Sequence, residues 1–140
     1  MSQRIVICGS MSTYVEMIKY QKLLKNNGIL SLIPEQTDFD NIPAFTSKDA
    51  LNSKYNVTKE YMAEIGNDFT YGILVVNVRK NGKANYIGAS VFAEIAVAVY
   101  EEKKVYLLED YYDPYYEELI TWRAVALHGN IDHLIKEIMP

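Results

Sequence analysis

One cysteine, Cys8, stands among 140 residues, so no internal disulfide can form, and no apolar run approaches the roughly 20 residues that a membrane-spanning helix needs. Basic residues are also in deficit: 14 Lys and Arg face 18 Asp and Glu, a net charge of -4. Grip on a nucleic-acid backbone needs the opposite balance, which sets polymeric nucleic acid aside as a partner. A small nucleoside or nucleotide, needing only a few local donors, stays open. The chain has no G-x-G-x-x-G, no P-loop lysine pattern and no Cys/His spacing of the zinc type. No dinucleotide, nucleoside triphosphatase site, metal or other cofactor is therefore expected. No basic-then-apolar leader opens the sequence, and the expected location is cytoplasmic.

What is present suits a single domain over residues 1–140. With 49% apolar and 23% charged residues, the composition is that of an ordinary globular chain, so neither disorder nor a membrane class is expected. Short β-branched and leucine-rich runs alternate with helical spacing. A strand over 4–8 runs into Gly9-Ser10, with Ser12 or Thr13 available to cap a helix that Tyr14, Met17, Ile18, Gln21 and Leu24 trace as far as the stop Asn27-Gly28. A strand over 29–33 follows, then an aperiodic connection over 34–54, and a helix over 57–65 with Thr58 as cap and Gly66-Asn67 as stop. Next come a strand over 73–77, a Gly-containing loop, a helix over 90–101 and a strand over 105–108. A Tyr-rich segment, a helix over 115–122, a short strand over 125–127 and a helix over 131–138 capped by Asn130 complete the chain. Strands alternating with helices predict an α/β three-layer sandwich around a flavodoxin-like or Rossmann-like parallel sheet of four or five strands.

Open sheets of this kind bind ligands beyond the carboxyl ends of their strands. That rule singles out Gly9, Ser10 and Met11 after the first strand, the segment after Ile33, Leu108-Glu109-Asp110 after the fourth strand, and Asn77 after the third. It also selects Asn85, Tyr86 and Gly88 in the loop that follows. The sharpest candidate is Glu94, a lone carboxylate between Phe92-Ala93 and Ile95-Ala96-Val97-Ala98. A carboxylate on so apolar a helix is costly unless it is hydrogen-bonded, paired or open to a cleft. Bland roles compete at each position. A tight strand-to-helix turn wants Gly in any case, and a tyrosine hydroxyl or backbone amide would satisfy Glu94. His128 and His133 read as surface or packing residues. The Tyr-rich stretch Tyr111-Tyr112-Asp113-Pro114-Tyr115-Tyr116 reads as a packed loop or a subunit contact. A helix as apolar as 92–100 also predicts a homodimer or larger assembly.

Four blocks together resemble the nucleoside 2-deoxyribosyltransferase-like superfamily, in particular its short members that share an Asn-Tyr-Ile-Gly loop. They are Ile5-Val6-Ile7-Cys8-Gly9-Ser10-Met11, Gly72-Ile73-Leu74-Val75-Val76-Asn77, Asn85-Tyr86-Ile87-Gly88-Ala89-Ser90 leading to Phe92-Ala93-Glu94-Ile95, and Lys104-Val105-Tyr106-Leu107-Leu108. The resemblance implies a flavodoxin-like sheet in a homo-oligomer with the site near subunit boundaries. It also implies cleavage or exchange of the N-glycosidic bond of a nucleoside or nucleotide, with Glu94 attacking the anomeric carbon to form a glycosyl intermediate. The chain departs from the active members where they carry two aspartates. Tyr71-Gly72 stands before the third strand, with Asp68 the nearest acid, and Gly88 stands six residues before Glu94. A non-catalytic protein that senses or sequesters a nucleotide-derived ligand is the alternative expectation.

Overall fold

The computed structural model describes residues 3–36 and 48–139. Five short strands pair in parallel: β1 (Arg4–Cys8), β2 (Leu30–Leu32), β3 (Thr70–Val75), β4 (Lys104–Leu107) and β5 (Val125–Ala126), in the spatial order β2-β1-β3-β4-β5. Five helices connect and flank them: α1 (Tyr14–Asn26), α2 (Lys48–Gly66), α3 (Ala89–Tyr100), α4 (Tyr116–Thr121) and α5 (Asp132–Ile138). The result is the three-layer α/β sandwich that the alternation predicts.

Strand parity separates two cores, because successive side chains point to opposite faces of a sheet. Val6, Cys8, Ile73, Val75, Val105 and Leu107 pack with Ile65 of α2, Ile95 of α3 and Leu119 of α4. Ile5, Ile7, Leu74 and Tyr106 pack on the other side with Met17 and Leu24 of α1 and Leu134 of α5. The central strands are buried on both faces, which is why they read as unbroken apolar runs. Strand approach is tightest at Gly72, where a Cβ would lie 2.5 Å from the Lys104 carbonyl oxygen. The strand order reverses direction at β1, which has β2 on one side and β3 on the other. A crevice is therefore expected between the carboxyl ends of β1 and β3.

Local signals set most boundaries to within a residue. At the end of α1, Gly28 has φ +80°, and the Gly28 and Ile29 amides donate to the carbonyls of Lys25 (3.0 Å) and Leu24 (2.9 Å), closing the helix as a glycine stop should. Asn130 Oδ1 accepts the Asp132 amide at 2.9 Å just ahead of α5, whose N-cap position is Ile131 and not the expected Asn130.

Three further local expectations are corrected. Neither Ser12 nor Thr13 caps α1 with its side chain. Met11–Thr13 forms a 3-10 turn, and the Thr13 hydroxyl donates back to the Ser10 carbonyl at 2.8 Å. The strand expected over 73–77 is Thr70–Val75, which leaves Asn77 two residues beyond it. Helix α2 begins at Lys48, not near 57, so Thr58 lies in its interior. From 51 to 60 every residue of α2 is exposed, so no buried stripe marks that part of the helix in the sequence. The rest of the connection expected over 34–54 lies partly outside the described residues.

The Tyr-rich segment packs within the chain. Phe92 stacks on Tyr115 (4.1 Å between ring centroids) and on Trp122 (5.2 Å), Tyr112 meets Tyr115 edge-on, and the Tyr111 hydroxyl donates to the Ala124 carbonyl at 3.0 Å. This aromatic cluster fixes the helical layer that carries Glu94.

Candidate functional site

A cleft of about 590 Å³ opens at the carboxyl end of β1, bordered by Pro34 and Glu35 after β2 and by Lys80 in the loop beyond β3, and walled by α2 on one side and α3 on the other. That volume suits a small-molecule ligand. Six of the residues singled out from the sequence line it: Gly9, Ser10, Met11, Tyr86, Gly88 and Glu94. They arrive from three separate places, the turn after β1, the loop before α3, and α3 itself.

Glu94 sits half-buried on α3, one residue before Ile95, which is fully buried against the sheet. Burial is the main influence on its carboxyl and pushes the pKa up to about 7, while a hydrogen bond with the Cys8 thiol draws it partly back. At neutral pH the group is near its midpoint, able to act as carboxylate or as acid. Cys8, with no exposed surface, is pushed the other way from reactivity. Burial, then the nearby Glu94 charge and hydrogen bond, raises its pKa well above the ordinary thiol value, so it stays a neutral thiol.

Tyr61 of α2 reaches across the sheet ends, where its hydroxyl donates to the Ile7 carbonyl and lies 3.3 Å from the Leu32 carbonyl. It thus ties the α2 wall to both β1 and β2. Burial raises its pKa above the ordinary tyrosine value, and the charges of Cys8 and Glu94 add to the effect, so it too remains protonated.

The two cleft glycines are there for different reasons. A Cβ on Gly9 would come within 2.9 Å of Thr13 Oγ1 and 3.2 Å of the Met17 sulfur, so packing against the start of α1 demands glycine. Gly88 has an ordinary extended backbone, φ -79° and ψ 173°, and a Cβ there would only touch the Tyr86 ring at 3.5 Å. Nothing in the local fold requires glycine at 88. A side chain there would occupy cleft space.

Asn77 and Asn85 do not line the cleft. Asn77 is fully buried, with its amide nitrogen donating to the Asp110 carbonyl (2.7 Å) and its oxygen accepting the Glu109 amide (2.9 Å). Asn85, at φ 59°, donates to the Tyr111 carbonyl (3.4 Å) and accepts from the Asp110 amide (3.3 Å). Both pin the segment after β4 beside the loop after β3. His128 and His133 are exposed outside the cleft lining, the latter 2.7 Å from Glu137.

Pro34 and Glu35, in the segment after Ile33, also line the cleft, as do Tyr61 and Lys80, which sequence reading did not single out. Lys80 had a usable signal. Asn81-Gly82, with φ 51° and 75°, forms a two-residue hairpin turn that bridges Lys80 to Lys83, and Asn-Gly between flanking residues announces such a turn. The ammonium groups of Lys80 and Lys83 lie 5.6 and 5.9 Å from the centre of the Tyr86 ring. Tyr61 had none, because its place in the cleft depends on where α2 lies in space.

Among the described residues no cluster of three or more His, Cys, Asp or Glu side chains is arranged to hold a metal ion, and no helix is long and apolar enough to cross a membrane. Comparison with protein-family models, with curated proteins and with solved structures gives no match to this chain.

Proposed function

We propose that the chain binds a nucleoside or nucleotide in this cleft and breaks its N-glycosidic bond, by hydrolysis or by deoxyribosyl transfer, with Glu94 as the nucleophile. The observation that carries the reading is the Glu94 carboxylate, held near its midpoint at neutral pH, in a ligand-sized cleft where the strand order reverses. The resemblance of the four sequence blocks supports the choice of substrate. In the reaction, a carboxylate oxygen of Glu94 bonds to the anomeric carbon as the bond to the base nitrogen breaks, and the base leaves with the bonding electron pair. Water, or an incoming base, then attacks the same carbon and frees the carboxylate. In this reading the protein acts in the cytoplasm as a homodimer or larger assembly. Support comes from the outer face of α3, where Ala96 and an 84% exposed Tyr100 face outward. Light scattering at micromolar concentration tests that part, and a monomer would remove it.

Ligand binding without turnover is the second reading. It is favoured by the engagement of the groups best suited to handle the departing base: the Asn77 and Asn85 amides bond the backbone, and the Tyr61 proton goes to the Ile7 carbonyl. General-acid help is typically worth about 10²–10⁴-fold, so turnover without it is slow.

Incubation with a panel of nucleosides and nucleotides, followed by chromatography for free base, decides between the two. Wild type should release base and Glu94→Gln should not, with ligand affinity changed by less than roughly tenfold, because the amide keeps size and polarity but cannot form the glycosyl ester. Binding without release in the wild type supports the second reading. Equal release by both proteins removes Glu94 from the chemistry.

A further inference from the structure

We propose that the end of the cleft beside Lys80 is an anion subsite that takes a phosphate monoester of the ligand, so that the substrate is a nucleotide and not a nucleoside. The inference rests on the reading of the cleft as a nucleoside or nucleotide site, and narrows it.

The chain as a whole is acidic, yet Arg79, Lys80 and Lys83 put three cations into five residues. The hairpin turn at Asn81-Gly82 holds them in place. The Lys80 amide donates to the Lys83 carbonyl (3.1 Å), the Lys83 amide donates back (2.9 Å), and the Arg79 guanidinium donates to the Gly82 carbonyl at 2.8 Å. Lys80 and Lys83 are the opposed pair of this hairpin, so their side chains leave on one side. Both ammonium groups come to the Tyr86 ring, which is itself steadied edge-on against buried Tyr112 at 5.5 Å. Like charges directly opposed repel. The ion pairs among the described residues join Arg4 to Glu64, and Glu137 to Lys104 and His133, so no carboxylate offsets either lysine. Lys80 is half-buried and lines the cleft, and the charge it brings there is unmet.

The rest of that end suits an anion. Adjoining the main cleft, a niche of about 10 Å³ is shared by Gly9, Ser10, Lys80, Tyr86 and Gly88 and is otherwise lined by Thr13 and four valines. Its volume is about what one water or one ligand oxygen fills. No acid lines the niche, whereas Glu94 and Glu35 line the main cleft alone. The first turn of α3 carries no acid either. Ser10 Oγ, 2.7 Å from Ser12 Oγ, can accept that neighbour's proton and turn its own to a ligand oxygen. An ammonium, a hydroxyl and a niche for one oxygen match a phosphate, which is compact, doubly charged and rich in acceptors. A base and sugar alone would leave the Lys80 charge unmet. The cation of the hairpin and the carboxylate of α3 then set the ligand's direction, with the phosphate drawn to Lys80 and kept away from Glu94, and the sugar between them.

Isothermal titration calorimetry on Glu94→Gln, in which the glycosidic bond stays intact, tests the subsite. The probes are ribo- and deoxyribonucleoside 5′-monophosphates of the common bases, their parent nucleosides, and inorganic phosphate. At least one monophosphate should bind roughly tenfold or more tightly than its nucleoside, by an amount that shrinks as salt is raised. Adding Lys80→Gln should remove most of that advantage and leave nucleoside affinity within about twofold, and Lys83→Gln, outside the cleft lining, should have a smaller effect. The proposal is overturned if nucleosides bind as tightly as monophosphates, if Lys80→Gln weakens both alike, or if no phosphate probe binds. Inorganic phosphate that binds as tightly as every monophosphate also overturns it, since the nucleoside part would then contribute nothing. Base release is a separate readout. A Lys80-dependent phosphate preference in a wild type that never releases base would keep the subsite and remove the chemistry, whereas release from nucleosides as readily as from monophosphates would remove the subsite alone.

Discussion

Removing the ionisable group at residue 94 should change how stability depends on pH, in a direction and amount that the site geometry sets. The Glu94 carboxyl is lifted from its ordinary 4.5 to about 7, chiefly by burial. Between those two values the folded protein keeps the proton and the unfolded chain has lost it. The unfolded state therefore binds fewer protons, and stability falls as pH rises across this interval, levelling off above about 7. The loss amounts to about 3 kcal/mol between about pH 4 and pH 8. Glu94→Gln has no proton to lose, keeps nearly the same volume, and retains a carbonyl oxygen for the Cys8 thiol. The variant should match wild type at about pH 4 and exceed it by about 3 kcal/mol at about pH 8, which for a chain of this length is roughly 10 °C in melting temperature. Urea unfolding followed by circular dichroism, on both proteins across this range, measures the difference, and every other titrating group cancels in the comparison. A difference that is flat with pH, or one in which wild type gains on the variant as pH rises, would refute the burial of the charge on which the site rests. The outcome also bears on function, since a group that costs stability in its ionised form is the usual mark of a site selected for activity.

The rate should follow the same carboxyl with the opposite preference. If Glu94 attacks as a carboxylate, kcat/KM for base release rises through about pH 7 and then levels; a rate that falls across that pH would reassign Glu94 as a general acid. Asn77→Ala should cost about 1–3 kcal/mol in urea unfolding, because it removes the partner of the Glu109 amide and the Asp110 carbonyl in a part-buried setting, and should leave ligand affinity within a fewfold. A large loss of affinity with unchanged stability would return Asn77 to the ligand.

The sheet was readable because burial on both faces leaves a plain trace: Ile5-Val6-Ile7 and Ile73-Leu74-Val75 have no polar side to present. Glu94 was readable for the complementary reason, as a charge with no partner on an apolar helix. The start of α2 was not, since a helix exposed all round carries no periodic stripe, and its propensity alone did not distinguish 48–56 from a loop. Asn77 and Asn85 show a different limit. A short amide beyond a strand end reads the same whether it grips a ligand or a neighbouring backbone, and the choice rests on where residues 109–111 pass, which local sequence does not carry. Tyr61 lay on the expected apolar face of its helix, but its reach to the Ile7 and Leu32 carbonyls depends on how far α2 projects past the sheet.

That projection makes the two walls of the cleft unequal as material for change. Glu94 and Gly9 are bound up with the packing around the sheet, and a substitution there disturbs that packing. Val57 and Thr58 face the same space from the exposed part of α2, where a surface substitution away from special contacts usually alters stability by no more than about 0.5 kcal/mol. Preference for one ligand over another can therefore drift along α2 through single, nearly neutral steps, while the Glu94 carboxylate on α3 stays where the core holds it.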